Sequence, residues 1–116
     1  MDDRLTAALD FSNFRQTFST QQRILKEKSE AKLTYGFNGG IFKIDKELIS
    51  FVKALIDFGR ETNVIILDNN NNPIVIEDLV KFQGEIMDRY FTTVNEYFDS
   101  IQKLKKARSM EKLLDL

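Results

Sequence analysis

The chain has 116 residues, 42% of them apolar, with 17 basic and 18 acidic side chains and a formal charge of −1. That length suits a single domain spanning 1–116, and the balanced charge supplies no general attraction to nucleic acid or to a membrane surface. Cys and His are both absent, which excludes disulfides, thiol nucleophiles and the commonest metal ligands, and removes the side chain best suited to proton transfer near neutrality.

The start, Met1-Asp2-Asp3-Arg4, has the wrong charge for a secretory signal. No window approaches the ~20 apolar residues that span a bilayer, so no membrane insertion is expected. Residues 1–10 read as a frayed end or a short helical turn. The first clear helix is predicted over Ser12–Lys32, with Asp10 or Ser12 as its cap. Phe11, Phe14, Phe18 and Leu25 fall at three-to-four spacing, with Gln21 in the gap, and give its first half an apolar face. Its second half, Lys26 to Glu30, is charged almost all round and reads as a solvated segment.

Leu33, Tyr35 and Phe37 alternate, as do Phe42 and Ile44, around Asn38-Gly39. An Asn-Gly pair supplies the two positive φ angles of a tight hairpin turn, so a short β-hairpin is predicted, with an irregular aromatic loop as the second reading. Gly39-Gly40 is not followed by the Lys-Ser/Thr pair of a phosphate loop. A second helix starts at Asp45, buries a face of Leu48, Val52, Leu55 and Ile56 widened by Phe51 and Phe58, and stops at Gly59, where a left-handed cap belongs. Val64–Leu67 and Ile74–Ile76 flank an Asn-rich turn and predict a second hairpin, with Pro73 opening its second strand. Asp68 is the one acid in that turn, too few for a calcium loop.

From Asp78 to Arg108 the pattern is one amphipathic helix of about 46 Å. Acids open it (Glu77, Asp78) and a basic cluster closes it (Lys103, Lys105, Lys106, Arg108), as the helix dipole favours at each end. Leu79, Phe82, Ile86, Tyr90, Val94, Tyr97, Ile101 and Leu104 form its stripe. The near half covers the hairpins and the second helix. The far half, Tyr97, Ile101 and Leu104, is the candidate interaction surface: the first helix packs antiparallel on it, or a second copy does, and both can hold at once. Residues 109–116 read as a flexible C-terminal tail, either a frayed helix end or a docking peptide presenting Leu113, Leu114 and Leu116. The elements together predict an α+β fold dominated by helix, with three helices, the last one long, and two short β-hairpins.

Convergent titratable groups are missing from this pattern. Most Asp and Glu fall on helix exteriors, and the basic cluster near Lys103 is explained by the dipole. No catalytic, metal or cofactor-binding residue is assigned, no enzyme is expected, and neither a small-molecule substrate nor nucleic acid is an expected partner.

Tyr35-Gly36-Phe37-Asn38-Gly39-Gly40-Ile41-Phe42-Lys43-Ile44 and Leu48-Ile49-Ser50-Phe51 carry a more specific likeness. So do Ile66-Leu67-Asp68, Asn72-Pro73-Ile74, Asp88-Arg89-Tyr90-Phe91, Asn95-Glu96-Tyr97 and Lys105-Lys106-Ala107-Arg108-Ser109. From about Phe14 to Arg108 the chain resembles the small prohead core proteins of T-even-like contractile-tailed phages, including those of marine cyanobacteria. The resemblance implies a component of the internal scaffold on which a capsid shell assembles in the host cell cytoplasm, inside the immature phage head. Its partners would be other capsid-assembly proteins and itself. It also implies degradation by a phage protease that prefers an apolar residue two positions before a glutamate. Leu25-Lys26-Glu27 fits that preference and makes Glu27 a candidate cleavage site, although a Lys follows where a small residue is favoured; Val75-Ile76-Glu77 fits less well. The alternative is a small phage adaptor that docks its apolar C-terminal peptide on a polymerase or sliding clamp.

Overall fold

A computed structural model of the chain describes residues 2–107. The element order is α1 (Asp3–Lys32), β1 (Thr34–Phe37), β2 (Gly40–Lys43), α2 (Lys46–Asp57), β3 (Thr62–Leu67), β4 (Pro73–Asp78) and α3 (Leu79–Lys106). The fold is α+β and helix-dominated, with two separate two-stranded antiparallel sheets, β1-β2 and β3-β4. Helix α1 begins well before the predicted Ser12. Its early residues, Arg4 to Leu9, are mostly strong helix formers with no Gly or Pro to stop them, and the Asp2 carboxylate accepts from the Arg4 N–H at 3.0 Å. The apolar periodicity starts only at Phe11, so periodicity alone dates the helix too late.

The described residues divide into two compact units. One is Glu30–Val94; the other takes α1 up to Ser29 and α3 from Asn95 onward. In the first, Asn38 and Gly39 both adopt positive φ (49° and 80°) and turn β1 into β2, with Tyr35 opposite Phe42. Asp45 caps α2 by accepting from the Leu48 N–H at 2.8 Å. At the other end Gly59 (φ 83°) and Arg60 donate back to Ile56 and Leu55, a paired closure that needs a left-handed residue at Gly59. Pro73 opens β4 opposite Leu67. Asp78 ends β4 and, accepting from the Lys81 N–H at 3.0 Å, caps α3, so strand passes into helix without a loop.

The core of this unit joins Phe42 and Ile44 from the first hairpin region, Val52 from α2, Ile66, Ile74 and Ile76 from the second hairpin, and Leu79, Phe82 and Ile86 from α3. Burying one such side chain contributes about 1.5–3 kcal/mol. Gly40 lies against the second hairpin: a Cβ there would sit 2.6 Å from Cγ1 of Ile74, so a side chain would force Ile74 to move. Helix α2 gives this core one fully buried residue, Val52; Phe51 and Phe58, expected to widen its inner face, point outward instead.

The second unit is smaller. Leu104 and Ala107 are buried, with Phe14, Phe18, Leu25 and Ile101 packed against them. Within this unit α1 packs on the last turn of the α3 stripe, at Leu104. No helix among the described residues is long and apolar enough to cross a membrane.

Candidate functional site

In β4 and β3, alternation sends Ile66, Ile74 and Ile76 into the core. The same alternation sends Ile65, Leu67 and Val75 outward, where they stand 64%, 58% and 48% exposed. Ile65 and Val75 are direct cross-strand partners, and Leu67 faces Pro73. A hairpin with one face in the core ordinarily carries polar residues on the other; here the outward face is apolar over Ile65, Leu67 and Val75 and polar only at the end that carries Asn63 and Glu77. Beside it, Leu67 and the half-exposed Phe51 line a cleft of about 350 Å³ together with Phe42, Leu48, Lys43 and Glu47. Phe58, 85% exposed just before Gly59, adds a further outward aromatic to the same unit.

Asp68 fixes the geometry of this region. Its Oδ1 accepts from the N–H groups of Asn70 (2.9 Å) and Asn72 (2.8 Å), closing its own turn, and its Oδ2 accepts from the Ile41 N–H (3.0 Å). The Asn69 N–H donates to the Ile41 carbonyl at 2.8 Å. One carboxylate and one peptide thus tie the second hairpin's turn to β2 without a shared ladder. The N–H of Ile41, then that of Asn72, hold the Asp68 carboxyl below its ordinary value, because donors aimed at a carboxylate favour its charged form. The Asn38 side-chain amide adds a second tie, donating to the Val75 carbonyl at 2.9 Å.

A polar cluster sits where the first hairpin meets α3. The Tyr35 hydroxyl donates to Oε2 of Glu85 at 2.6 Å, and the Arg89 guanidinium lies over the Tyr35 ring, 4.2 Å from its centroid. Tyr35, Phe37 and Phe42 all contact the Phe82 ring. Burial, then the hydrogen bond to Glu85, push the Tyr35 phenol above its ordinary value, while Arg89 pulls the other way. The phenol therefore stays protonated at neutral pH and acts as a donor that clamps β1 onto α3. Sequence reading found Tyr35 only as a hairpin residue; the four-residue spacing of Glu85 and Arg89 on one helix face was the signal available for the rest.

The predicted interaction residues are placed as follows. Leu104 is completely enclosed, with α1 side chains packed on it, so it belongs to an internal contact and not to an outward docking face. Ile101 is half-buried in the same contact, and Tyr97 is half-buried on α3. Leu113, Leu114 and Leu116 lie outside the described residues. Glu27 is exposed in the C-terminal part of α1, within the helix, and pairs with Arg23 at 3.0 Å; a regular helix is a poor protease substrate compared with a loop tip. The sequence shows Ile65, Leu67 and Val75 only as strand residues, because a run of four apolar residues reveals no facing direction. Among the described residues no group of three or more acidic side chains is placed to hold a metal ion, and no buried side-chain polar atom lacks a hydrogen-bond partner.

Compared with known proteins, the chain matches no family model, no curated protein and no solved structure.

Proposed function

We propose that this chain is a structural protein that works by associating with other protein surfaces, as a component of the internal core on which a phage capsid assembles. The observation that carries the associative part is the outward apolar row of the β3-β4 hairpin, which no described residue covers enough to bury. Exposed apolar groups grouped on one face, not scattered singly, mark contact sites. The prohead setting comes from the resemblance of the Tyr35–Ile44 segment and the later runs to the small prohead core proteins of T-even-like phages; the partners are then capsid-assembly proteins and further copies of the chain. The far end of α3 contributes less to this reading than its sequence suggests, since α1 already encloses Leu104.

Co-expression of the full chain with the shell protein of a T-even-like phage tests this reading. The chain is expected to co-sediment with immature particles and to raise the yield of closed ones. Identical particles with and without it, and a chain that stays in the slow-sedimenting fraction, would overturn the prohead assignment.

A further inference from the structure

Asn38 opens the β1-β2 turn, and its side chain reaches the second hairpin. It is also the one asparagine in the chain followed by glycine. That pairing is chemically labile. Gly39 has no Cβ to crowd its peptide nitrogen, so this nitrogen can attack the carboxamide one residue back. A Cβ built on Gly39 would meet nothing within 4 Å, which leaves the tip of the turn open to water.

We propose that Asn38 is a self-modifying site, converted to aspartate or isoaspartate through a cyclic imide closed on Gly39, and that the folded hairpin holds the reaction back. The Gly39 nitrogen gives up its proton to solvent and bonds to Cγ of Asn38. The Cγ–Nδ2 bond breaks, and Nδ2 takes up a proton and leaves as ammonia. Water then opens the five-membered ring. Attack at Cγ yields aspartate; attack at the backbone carbonyl carbon of Asn38 yields isoaspartate, with the main chain now routed through Cγ. In sum, one amide and one water become a carboxylate and an ammonium ion, with no change of oxidation state.

Two features oppose ring closure in the native chain. Positive φ at Asn38 and Gly39 (49° and 80°) makes this a type I′ turn, in which ψ of the first residue lies near about 30°. At that angle the Asn38 Cβ and the Gly39 nitrogen point apart across the Cα–C bond, whereas the ring needs them nearly eclipsed. The Asn38 amide also donates to the Val75 carbonyl at 2.9 Å, which holds the carboxamide toward β4. Attack therefore waits for local opening of the turn. The product does not restore the tie. An aspartate carboxylate has no N–H to give the Val75 carbonyl. It also enters a recess lined by Glu77 and Asp78 at the end of β4 and by Lys81 and Glu85 of α3, where acids outnumber the cation and repel it. Isoaspartate lengthens a loop whose geometry suits two ordinary residues. Either product loosens the first hairpin from the second, and the change runs one way.

The test uses the full chain, aged at mildly alkaline pH in buffer and in guanidinium chloride. Peptide mass spectrometry follows the replacement of amide by acid, and enzymatic methylation counts isoaspartate. In guanidinium chloride, Asn38 is expected to convert before any other asparagine. In buffer it should convert about tenfold more slowly, or slower still, because only the opened turn reacts. Aged protein, separated from unmodified chain by its added negative charge, is expected to melt below the wild type, and so is Asn38→Asp. Another asparagine converting first in guanidinium chloride would overturn the site. Equal rates in the two solvents would overturn the protection by the fold. Aged protein that melts with the wild type would overturn the loosening, a result that does not depend on the variant. No capsid protein enters these measurements, so the prohead reading stands or falls separately.

Discussion

Asp68 shows how much one side chain organises here. It closes its own turn through Asn70 and Asn72 and reaches 27 residues back along the chain to Ile41. Its pKa is lowered in the folded state, chiefly by the Ile41 and Asn72 N–H groups. A depressed carboxyl contributes stability that is fully present above the unfolded value of about 3.9 and disappears as pH falls through the lower folded value. Asp68→Asn is therefore expected to lower the melting temperature at neutral pH, with the gap to wild type closing as pH falls below about 4. Thermal melts at neutral and acid pH check this; a gap that persists at low pH would remove the carboxylate's charge from the explanation. The sequence identified Asp68 as a turn residue, because turn chemistry is local. Its link to Ile41 was not legible, since no local pattern encodes a tertiary hydrogen bond. Gly40 is parallel: its neighbour Gly39 is required by a turn that the sequence announces, whereas Gly40 is required by Ile74, which only the folded chain brings near.

At the scale of elements, backbone rules carried the furthest. Asn38-Gly39, Asp45, Gly59 and Pro73 each do in the structure what their chemistry predicts, and together they bound both hairpins and α2. Side-chain periodicity did less well. On α2 the expected face holds, with Val52 buried and Leu48, Leu55 and Ile56 packed on the core, but Phe51 and Phe58, expected to widen it, are left outside. On α3 the stripe is continuous but serves two ends: Leu79, Phe82 and Ile86 in one core, Leu104 in another. Which residues cover the far end depended on α1, whose own stripe of Phe14, Phe18 and Leu25 fits the task. Leu104→Ala tests that contact. A cost of about 2–5 kcal/mol is expected for a fully buried leucine, read by hydrogen exchange as lost protection in α1 around Phe14 to Leu25 and in the last turns of α3. Unchanged exchange there would mean that the contact does not hold the two helices.

At the scale of the whole molecule, the chain combines well-satisfied interiors with a generous apolar exterior. Its buried polar side-chain atoms are hydrogen-bonded among the described residues, and Asp45 and Asp78 cap the starts of α2 and α3, so local chemistry and fold agree there. Yet Ile65, Leu67, Val75, Phe51 and Phe58 remain in solvent although inward positions of the same elements are filled. A chain that leaves those side chains outside is suited to meeting other surfaces. The most direct measurement is the mass of the full chain by sedimentation equilibrium as concentration rises, alone and mixed with capsid shell protein. Association through the exposed apolar surface predicts a mass that climbs reversibly above 13.5 kDa. A mass fixed at 13.5 kDa in both conditions would contradict it.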